Sequence, residues 1–260
     1  MEVESETNRL QAAFRQKSLL NIYFTAGFPR IDDTLRIAKA LADAGADMIE
    51  IGLPFSDPIA DGPTIQASSQ KALANGMSLQ LLLDQLADLR EQVDVPVLLM
   101  GYINPVLQYG FSKFCAASRQ VGIDGLILPD LPMHEYQTIY KPIMKSYGLA
   151  NIFLITPQTG AERIREIDKE SEGFIYMVSS SSTTGAKSTM EENQAAYFER
   201  IKEMGLNQKR MIGFGISNRE TFQLACDYAD GAIIGSAFIR QLAEDSSNKS
   251  IYEFVKKIKN

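Results

Sequence analysis

Two kinds of hydrophobic pattern alternate along the chain. Short runs rich in aliphatic and β-branched residues recur, and the longer segments between them carry apolar residues three or four positions apart. The first pattern is typical of buried strands and the second of amphipathic helices, so their alternation predicts βα units around a parallel sheet. Eight strands are predicted: Asn21–Phe24, Asp47–Ile51, Val95–Met100, Gly125–Leu128, Asn151–Ile155, Phe174–Val178, Arg210–Phe214 and Gly231–Ile234.

The helical segments alternate with the strands as a closed barrel requires. Eight βα units make a (β/α)8 or TIM barrel, and 260 residues suffice for one such domain, spanning 1–260. Two further helical stretches, Ser5–Phe14 and Ser250–Lys257, would flank the units, the first as an extra N-terminal helix. The other predicted helices are Asp32–Ala44, Leu79–Gln92, Ser112–Val121, Met133–Tyr147, Ala161–Glu170, Glu191–Met204 and Arg219–Tyr228.

Composition narrows the class of ligand. Hydrophobic residues make up 45% of the chain and the formal net charge is −6, which favours a small-molecule substrate over nucleic acid or an anionic membrane. No apolar run approaches the roughly 18 residues of a membrane span, so a cytoplasmic location is expected. Cys115 and Cys226 lie far apart without metal-type spacing, and we expect both to be buried, reduced and structural.

Barrel enzymes carry their active sites in the loops that follow the carboxyl ends of the strands. Two of these loops are long and polar here, Pro54–Pro63 after the second strand and Ser179–Met190 after the sixth. Long loops at this face often close over a substrate. We therefore expect lids at these two positions.

The second strand carries a carboxylate at a position that should face inward. Ile49, Ile51 and Leu53 share one face by the period of two, while Glu50 lies on the other. If the branched apolar face packs on the helices, Glu50 projects into the barrel, where desolvation raises the pKa of a carboxylate toward values useful in acid-base chemistry. The alternative is a structural carboxylate paired with a buried cation.

The loop after the second strand contains two further carboxylates, Asp57 and Asp61. Either could face a substrate. Aspartates in loops are often turn or cap formers, and this structural interpretation remains open for both from the pattern alone.

Glycine-rich turns after the last two strands point to phosphate binding. They read Gly213-Phe-Gly-Ile-Ser217 and Gly235-Ser-Ala237, at the strand ends where barrels commonly bind phosphate. A helix that begins at Gly235 or Ser236 would direct its N-terminal dipole at the anion. Asn218 stands where a third glycine would complete a dinucleotide fingerprint, and the glycines could alternatively serve tight turns only.

Several chemistries lack the residues they need. No predicted strand has a lysine near its carboxyl end for a Schiff base. His134 is the only histidine, just after Pro132 at a predicted helix start, which favours a structural role over metal binding. The chain also has no G-x-S-x-G nucleophile motif.

A long and specific motif follows the second strand: Glu50-Ile-Gly-Leu-Pro-Phe-Ser-Asp-Pro-Ile-Ala-Asp-Gly-Pro-Thr-Ile-Gln66. Supporting motifs occur in order along nearly the whole chain: Thr25-Ala-Gly27, Leu99-Met-Gly-Tyr-Ile-Asn-Pro105, Pro129-Asp-Leu-Pro132, Thr184-Gly-Ala186, Gly213-Phe-Gly-Ile-Ser217 and Gly235-Ser-Ala237. In these residues the sequence resembles the alpha chains of tryptophan synthase.

The resemblance implies a carbon–carbon lyase that cleaves indole-3-glycerol phosphate to indole and glyceraldehyde-3-phosphate. It implies that Glu50 handles the protons at indole C3 and at the side-chain hydroxyl, and that Asp61 stabilises positive charge at the indole N–H. Tyr176 corresponds to an assisting active-site tyrosine, although it could also be an aromatic that fills the barrel. No metal or organic cofactor is implied for this chain.

The same resemblance assigns the binding residues. Around the substrate phosphate it places Gly185, Gly213, Gly235 and Ser236, with Gly215 supporting the turn after the seventh strand. It places Tyr23, Ile65 and Phe214 in the indole pocket, and Thr184 in a loop that closes onto Asp61. The run Ser179-Ser-Ser-Ser-Thr183 departs from the Arg and Gly that many relatives carry, which puts the loop's closing contacts in question.

A partner is also implied, the beta subunit of tryptophan synthase in an alpha2-beta2 assembly, and pyridoxal phosphate belongs to that partner. Its contact candidates are Pro54–Pro58, Asn104–Tyr109 and Pro129–Pro132. Two alternatives remain at this stage. One is another phosphate-binding barrel, such as a sugar-phosphate isomerase, and the other is a catalytically inert subunit that only activates its partner.

Overall fold

Eight parallel strands close into a barrel in which each strand pairs with its neighbours in chain order and β8 pairs with β1. The computed structural model describes residues 9–59, 61–179, 187–213 and 215–260, with the side chains of the third range from residue 194 onward. The eight predicted strands and the TIM barrel are confirmed. The strands are β1 (Leu19–Thr25), β2 (Met48–Gly52), β3 (Val97–Met100), β4 (Gly125–Ile127), β5 (Ala150–Ile155), β6 (Phe174–Val178), β7 (Lys209–Gly213) and β8 (Gly231–Ile234).

Helices follow the strands on the outside of the barrel. The predicted extra N-terminal helix is present, although its predicted start at Ser5 lies outside the described residues. The helices are α1 (Arg9–Ala13), α2 (Thr34–Ala44), α3 (Pro63–Ala74), α4 (Leu79–Gln85), α5 (Leu89–Gln92), α6 (Ile103–Tyr109), α7 (Phe111–Gln120), α8 (Met133–Glu135), α9 (Lys141–Ser146), α10 (Ala161–Glu170), α11 (Lys187–Glu203), α12 (Arg219–Tyr228), α13 (Ser236–Glu244) and α14 (Asn248–Lys259), with a π-helical turn at Tyr136–Tyr140 between α8 and α9.

Some helix predictions need correction. The predicted helix Leu79–Gln92 divides into α4 and α5, because the Leu89 N–H bonds to Leu86 in a tighter turn. Helix α11 begins before the predicted Glu191, so the loop after β6 is shorter than predicted. Helices α3 and α6 were not predicted. The buried face of α3 consists largely of serine and alanine, which leaves no apolar stripe for the periodicity to reveal.

The inward-facing side chains of the strands form one apolar cluster in the barrel. It includes Leu19, Leu98 and Met211, and α1 covers its N-terminal end with the fully buried Leu10. Phe14, just after α1, stacks against Phe174 of β6 with ring centroids 5.9 Å apart. The barrel interior is therefore a packed core, and in barrels of this kind the active site lies at the carboxyl-terminal end.

Ion pairs fix the N-terminal end of the barrel. Asp124, which precedes β4, bonds to Arg9 at 2.9 Å and to Arg90 at 2.6 Å. It also accepts the N–H of Val97 at the start of β3 at 2.8 Å. A nearly buried carboxylate with this many partners ties α1 and two strands together.

Two smaller expectations are settled by the described residues. Both cysteines are free, as predicted, but only Cys115 is buried, whereas Cys226 on α12 is half-buried because it lies on a partly exposed helix. None of the described helices has the length and apolar character needed to cross a membrane.

Candidate active site

Glu50 of β2 faces the barrel interior and is completely buried. Its neighbours Ile49 and Ile51 point outward to the helices, which confirms the faces predicted from the period of two. Asn21 of β1 donates its side-chain N–H to Oε1 of Glu50 at 2.5 Å. Oε2 accepts no hydrogen bond from the described residues. One oxygen is thus held while the other remains free to exchange a proton.

Burial raises the pKa of Glu50 from its ordinary 4.5 to about 8, and the hydrogen bond from Asn21 opposes part of that rise. No cation among the described residues acts on this carboxyl, so the alternative of a structural carboxylate paired with a buried cation finds no support there. A carboxyl with a pKa near neutrality can both donate and accept a proton in one reaction.

Asp61 lies in the loop between β2 and α3, at the carboxyl-terminal end of the barrel. The hydroxyl of Tyr102, just after β3, donates to its Oδ2 at 3.1 Å, and Gln66 of α3 donates to its backbone carbonyl at 2.7 Å. Partial burial raises the pKa of Asp61, and the hydrogen bond from Tyr102 opposes the rise. Asp57, in the same loop, is exposed and bonds with Ser56. The structure therefore turns Asp61, and not Asp57, toward the site.

Two buried tyrosines lie near the two carboxylates. Burial raises the pKa of the Tyr23 hydroxyl, and the charges of Asp61 and Glu50 raise it further. Burial also raises the pKa of Tyr176, with further contributions from Glu50, Tyr23 and Asp61. The structure thus brings Glu50, Asp61, Tyr23 and Tyr176 together at one end of the barrel.

Two glycines make space for these tyrosine rings. A Cβ added at Gly52 would overlap the Tyr23 hydroxyl, and one added at Gly213 would overlap the Tyr176 hydroxyl. Gly213 was predicted as a phosphate residue, and in the structure its missing side chain leaves room for Tyr176. The hydroxyl of Ser179, just after β6, donates a hydrogen bond of 3.0 Å to the backbone carbonyl of Gly213.

The other predicted phosphate residues lie at the ends of the adjacent strands β7 and β8. Gly215 has φ +78, a backbone conformation that favours glycine. Gly235 precedes α13 as its N-cap and Ser236 is the first residue of that helix, so the predicted helix start is confirmed. Gly185 lies outside the described residues.

The predicted indole pocket is partly described. Tyr23 and Ile65 are both nearly buried, and Ile65 lies in the first turn of α3. Ser68 joins this turn to the end of β1, because its hydroxyl lies 2.7 Å from that of Thr25 and donates to the Ile65 carbonyl at 2.8 Å. Phe214 and Thr184 lie outside the described residues.

Three residues at the site were not singled out from the sequence: Asn21, Gly52 and Tyr102. Gly52 and Tyr102 stand inside the quoted motifs, so their positions at the end of β2 and just after β3 were a usable signal. Asn21 is a polar residue within an apolar strand, which is a weaker signal because such residues are often structural. His134, by contrast, is exposed in α8, as its predicted place at a helix start suggests.

Comparison with known proteins identifies the family of this chain. A family model described as tryptophan synthase alpha chain matches residues 10–260. The tryptophan synthase alpha chain of Flavobacterium johnsoniae is 56% identical over 253 residues, which covers 97% of this chain and 98% of the relative. That of Flavobacterium psychrophilum is 54% identical over 252 residues and covers 96% and 99%.

Solved structures show the same fold. Tryptophan synthase subunit alpha from Legionella pneumophila superposes with a TM-score of 0.86 at 31% identity, covering 97% of each chain. Tryptophan synthase from Mycobacterium tuberculosis gives a TM-score of 0.86 at 30% identity with the same coverage. These matches decide against the sugar-phosphate isomerase alternative. The chain belongs to the tryptophan synthase alpha chain family.

Proposed function

We propose that Glu50 and Asp61 are the two working carboxylates of this carbon–carbon lyase, which cleaves indole-3-glycerol phosphate to indole and glyceraldehyde-3-phosphate in tryptophan biosynthesis. The observation that carries the proposal is the Glu50 carboxyl, completely buried in the barrel with a pKa raised to about 8 and with Oε2 free of partners among the described residues. At neutral pH this group is mainly protonated and can act first as an acid.

Glu50 serves both proton transfers. Its acid form gives a proton to C3 of the indole ring, and the carboxylate so formed takes the proton of the adjacent side-chain hydroxyl. The bond between C3 and the side chain then breaks, its electron pair returns to the ring, and the aldehyde forms. Protons balance because the same carboxyl gives one and receives one.

Asp61 stabilises the positive charge that develops at the indole N–H when C3 is protonated. This role requires the ionised carboxylate, and the hydrogen bond from Tyr102 favours that form. A fixed charge in a partly desolvated site stabilises the transition state more than the same charge would in water. Tyr176, Tyr23 and Ile65 flank the reacting ring in this proposal. By the family correspondence Phe214 joins the indole pocket, and Thr184 closes onto the site and holds Asp61.

The substrate phosphate lies beyond β7 and β8 in this proposal. Gly215, Gly235 and Ser236 are the described residues at that position, and the N-terminus of α13 provides free N–H groups there. Gly185 joins them by the family correspondence, and Gly213 contributes by admitting Tyr176. The steps are proton transfers assisted by fixed charge, so we propose that this chain uses no cofactor.

We further propose that the chain acts with a tryptophan synthase beta subunit, which holds pyridoxal phosphate, in an alpha2-beta2 assembly. Three candidate segments, Pro54–Pro58, Asn104–Tyr109 and Pro129–Pro132, follow successive strands and form what we call the partner face. Phe55 packs on Tyr102 with ring centroids 5.1 Å apart, and the Ile103 N–H bonds to Asp130 at 2.9 Å. A cytoplasmic location belongs to this proposal and rests on the biosynthetic role.

Indole release from indole-3-glycerol phosphate by the purified chain, with and without a beta subunit, tests the reaction. We expect Glu50→Gln and Asp61→Asn each to lower turnover about a hundredfold or more, and Glu50→Gln to retain substrate binding because it preserves the side-chain volume. Asp57→Asn, in the same loop but exposed, is the matched control and should keep the wild-type turnover of the isolated chain; it is compared without the beta subunit because Asp57 lies on the partner face. Unimpaired turnover in Glu50→Gln would overturn the assignment, and no release by the wild-type chain would favour the inert-subunit alternative.

Leu107 on the partner face, 45% exposed, provides a separate test of the partnership. Leu107→Lys should keep the rate of the isolated chain and lose most of the stimulation by the beta subunit, because it places a charge in the interface. Leu224→Lys on α12, similarly exposed but on the outside of the barrel, is the control. If the beta subunit stimulates both variants equally, the partner face is not where it binds.

A further inference from the structure

The barrel interior contains a buried pair of polar side chains, Asn21 and Glu50, among apolar neighbours. Asn21 is completely buried on β1, and Glu50 lies on the paired strand β2. The inward-facing cluster around the barrel axis is largely aliphatic or sulfur-containing, with Leu98, Ile127, Ile152, Met211 and Ile233, and it also includes Tyr176. In such surroundings a single N–H donor has a large effect on a carboxyl group, because among the described residues only Asn21 donates a hydrogen bond to it.

We propose that Asn21 is a positioning residue for the lyase reaction, which holds Oε1 of Glu50 so that Oε2 is the oxygen that gives and takes the proton. This inference rests on the proposed function of Glu50. Asn21 does not touch the reacting atoms and acts only through the carboxyl.

Geometry supports the division between the two oxygens. The Asn21 N–H donates to Oε1 at 2.5 Å, and Oε2 has no partner among the described residues. Asn21 is itself held on a rigid strand, since its backbone lies in register between Met48 of β2 and Ile233 of β8. A carboxyl bonded to a fixed donor loses rotational freedom, so its other oxygen keeps one direction.

An amide suits this position better than an apolar or a cationic side chain. An apolar residue would leave the buried carboxyl without a donor and would raise its pKa further, so the group would be reluctant to ionise. A lysine would keep it ionised and would prevent it from acting as an acid. A neutral donor offsets only part of the effect of desolvation on the pKa of Glu50. The carboxyl can then act as an acid and, once ionised, as a base.

The side chain of Asn21 is unfavourable for stability on its own account. Its Oδ1 is buried and has no partner among the described residues, and an unpaired buried oxygen destabilises the folded state. A purely structural role would not require this group. We therefore expect an aliphatic residue at this position to keep the fold, because removal of the unpaired Oδ1 offsets the loss of the donor to Oε1.

The titratable groups that face Glu50 come from three other places in the barrel. Tyr23 lies beside it on β1, Tyr176 faces it from β6, and Asp61 lies in the loop above. Both hydroxyls have a raised pKa because they are buried, so they stay neutral over the range in which Glu50 titrates. The pKa of Asp61 is also raised by burial, so a change in the pH dependence is assigned to Glu50 when the infrared band of the Glu50 carboxyl moves with it.

The test compares Asn21→Leu with Asn151→Leu. Asn151 is also a buried strand asparagine without partners for its side chain among the described residues, but it lies on β5 next to the inward-facing Ile152 and so faces away from the interior. For Asn21→Leu we expect kcat at pH 7 to fall about tenfold, because the variant loses one charge-assisted hydrogen bond to the Glu50 carboxylate. KM should stay within about twofold, because positioning acts on the transition state.

Two readouts separate positioning from a general structural effect. The pH at which kcat changes with Glu50 ionisation should move up by about one unit in Asn21→Leu. The carbonyl infrared band of the protonated carboxyl, assigned by its loss in Glu50→Gln, should titrate at a correspondingly higher pH. Asn151→Leu should change neither. Asn21→Val, which is smaller and favours strands, should repeat the result if the leucine variant does not fold.

An unchanged infrared titration and an unchanged kcat profile in Asn21→Leu would overturn the proposal. A shifted infrared band without a change in kcat would also overturn it, since the carboxyl would then respond while the reaction did not. These outcomes concern Asn21 alone. Failure of the proposed function has a different signature, which is wild-type turnover in Glu50→Gln.

Discussion

Replacement of Glu50 by glutamine should stabilise the protein while it removes activity, and the gain should depend on pH in a defined way. In the unfolded chain the carboxyl ionises near its ordinary pKa of 4.5, whereas in the folded chain the pKa is about 8. Between these values the unfolded chain gives up a proton that the folded chain retains, so stability falls as pH rises. Glutamine does not titrate, so the variant does not lose stability in this way as pH rises.

The size of the effect follows from the interval between the two pKa values. Each pH unit within it changes the free energy of unfolding by about 1.4 kcal/mol, so the advantage of Glu50→Gln should grow by about 3 to 4 kcal/mol from pH 5 to pH 8 and then level off. For a chain of this size 1 kcal/mol corresponds to about 2 to 3 °C in Tm. The difference in Tm should therefore increase by roughly 10 °C over that range.

Calorimetric Tm values at pH 5, 6, 7, 8 and 9 measure this directly, with indole release assayed on the same samples. Glu244→Gln, which changes an exposed carboxylate on α13, is the control and should show a nearly constant difference in Tm. A constant difference for Glu50→Gln as well would contradict the raised pKa of Glu50, because it would mean that the buried carboxyl ionises normally in the folded protein. Glu50 would then be ionised at neutral pH and could not act first as an acid.

Three other predictions follow from single contacts. Tyr102→Phe removes the hydrogen-bond donor to Asp61 and should lower kcat/KM about three- to tenfold. Because this hydrogen bond lowers the pKa of Asp61, the acid limb of the pH profile should move to higher pH in the variant. An acid limb that stays in place would contradict the role of this hydrogen bond. Gly213→Ala should displace Tyr176 and cost about 1 to 3 kcal/mol in urea unfolding, whereas wild-type stability with Tyr176 unmoved in a crystal structure would count against it. Asp124→Ala leaves two arginines without their partner and should cost about 3 to 5 kcal/mol, while the turnover of the folded fraction at low temperature stays near wild type because the change lies at the opposite end of the barrel.

The parts of this protein that depend on regular repetition could be predicted from its sequence. Strands β1 to β8 were recognisable because buried parallel strands are short, apolar and separated by amphipathic helices. The inward direction of Glu50 followed from the period of two along β2, and the motif from Glu50 to Gln66 indicated the family. Helix α3 escaped the same reasoning, because it buries serine and alanine against the barrel and so carries no apolar stripe.

Contacts between residues far apart in the chain were decided only by the tertiary structure. Asp57 and Asp61 lie in one irregular loop, and no periodicity tells which of them turns inward; the hydroxyl of Tyr102, 41 positions after Asp61, distinguishes them. Asn21 and Glu50 meet because β1 and β2 pair in a particular register. Local propensity and patterning act over a few residues and so determine the elements, whereas the pKa of a carboxyl depends on whatever the closed barrel places around it, and that environment exists only once the eight strands have come together.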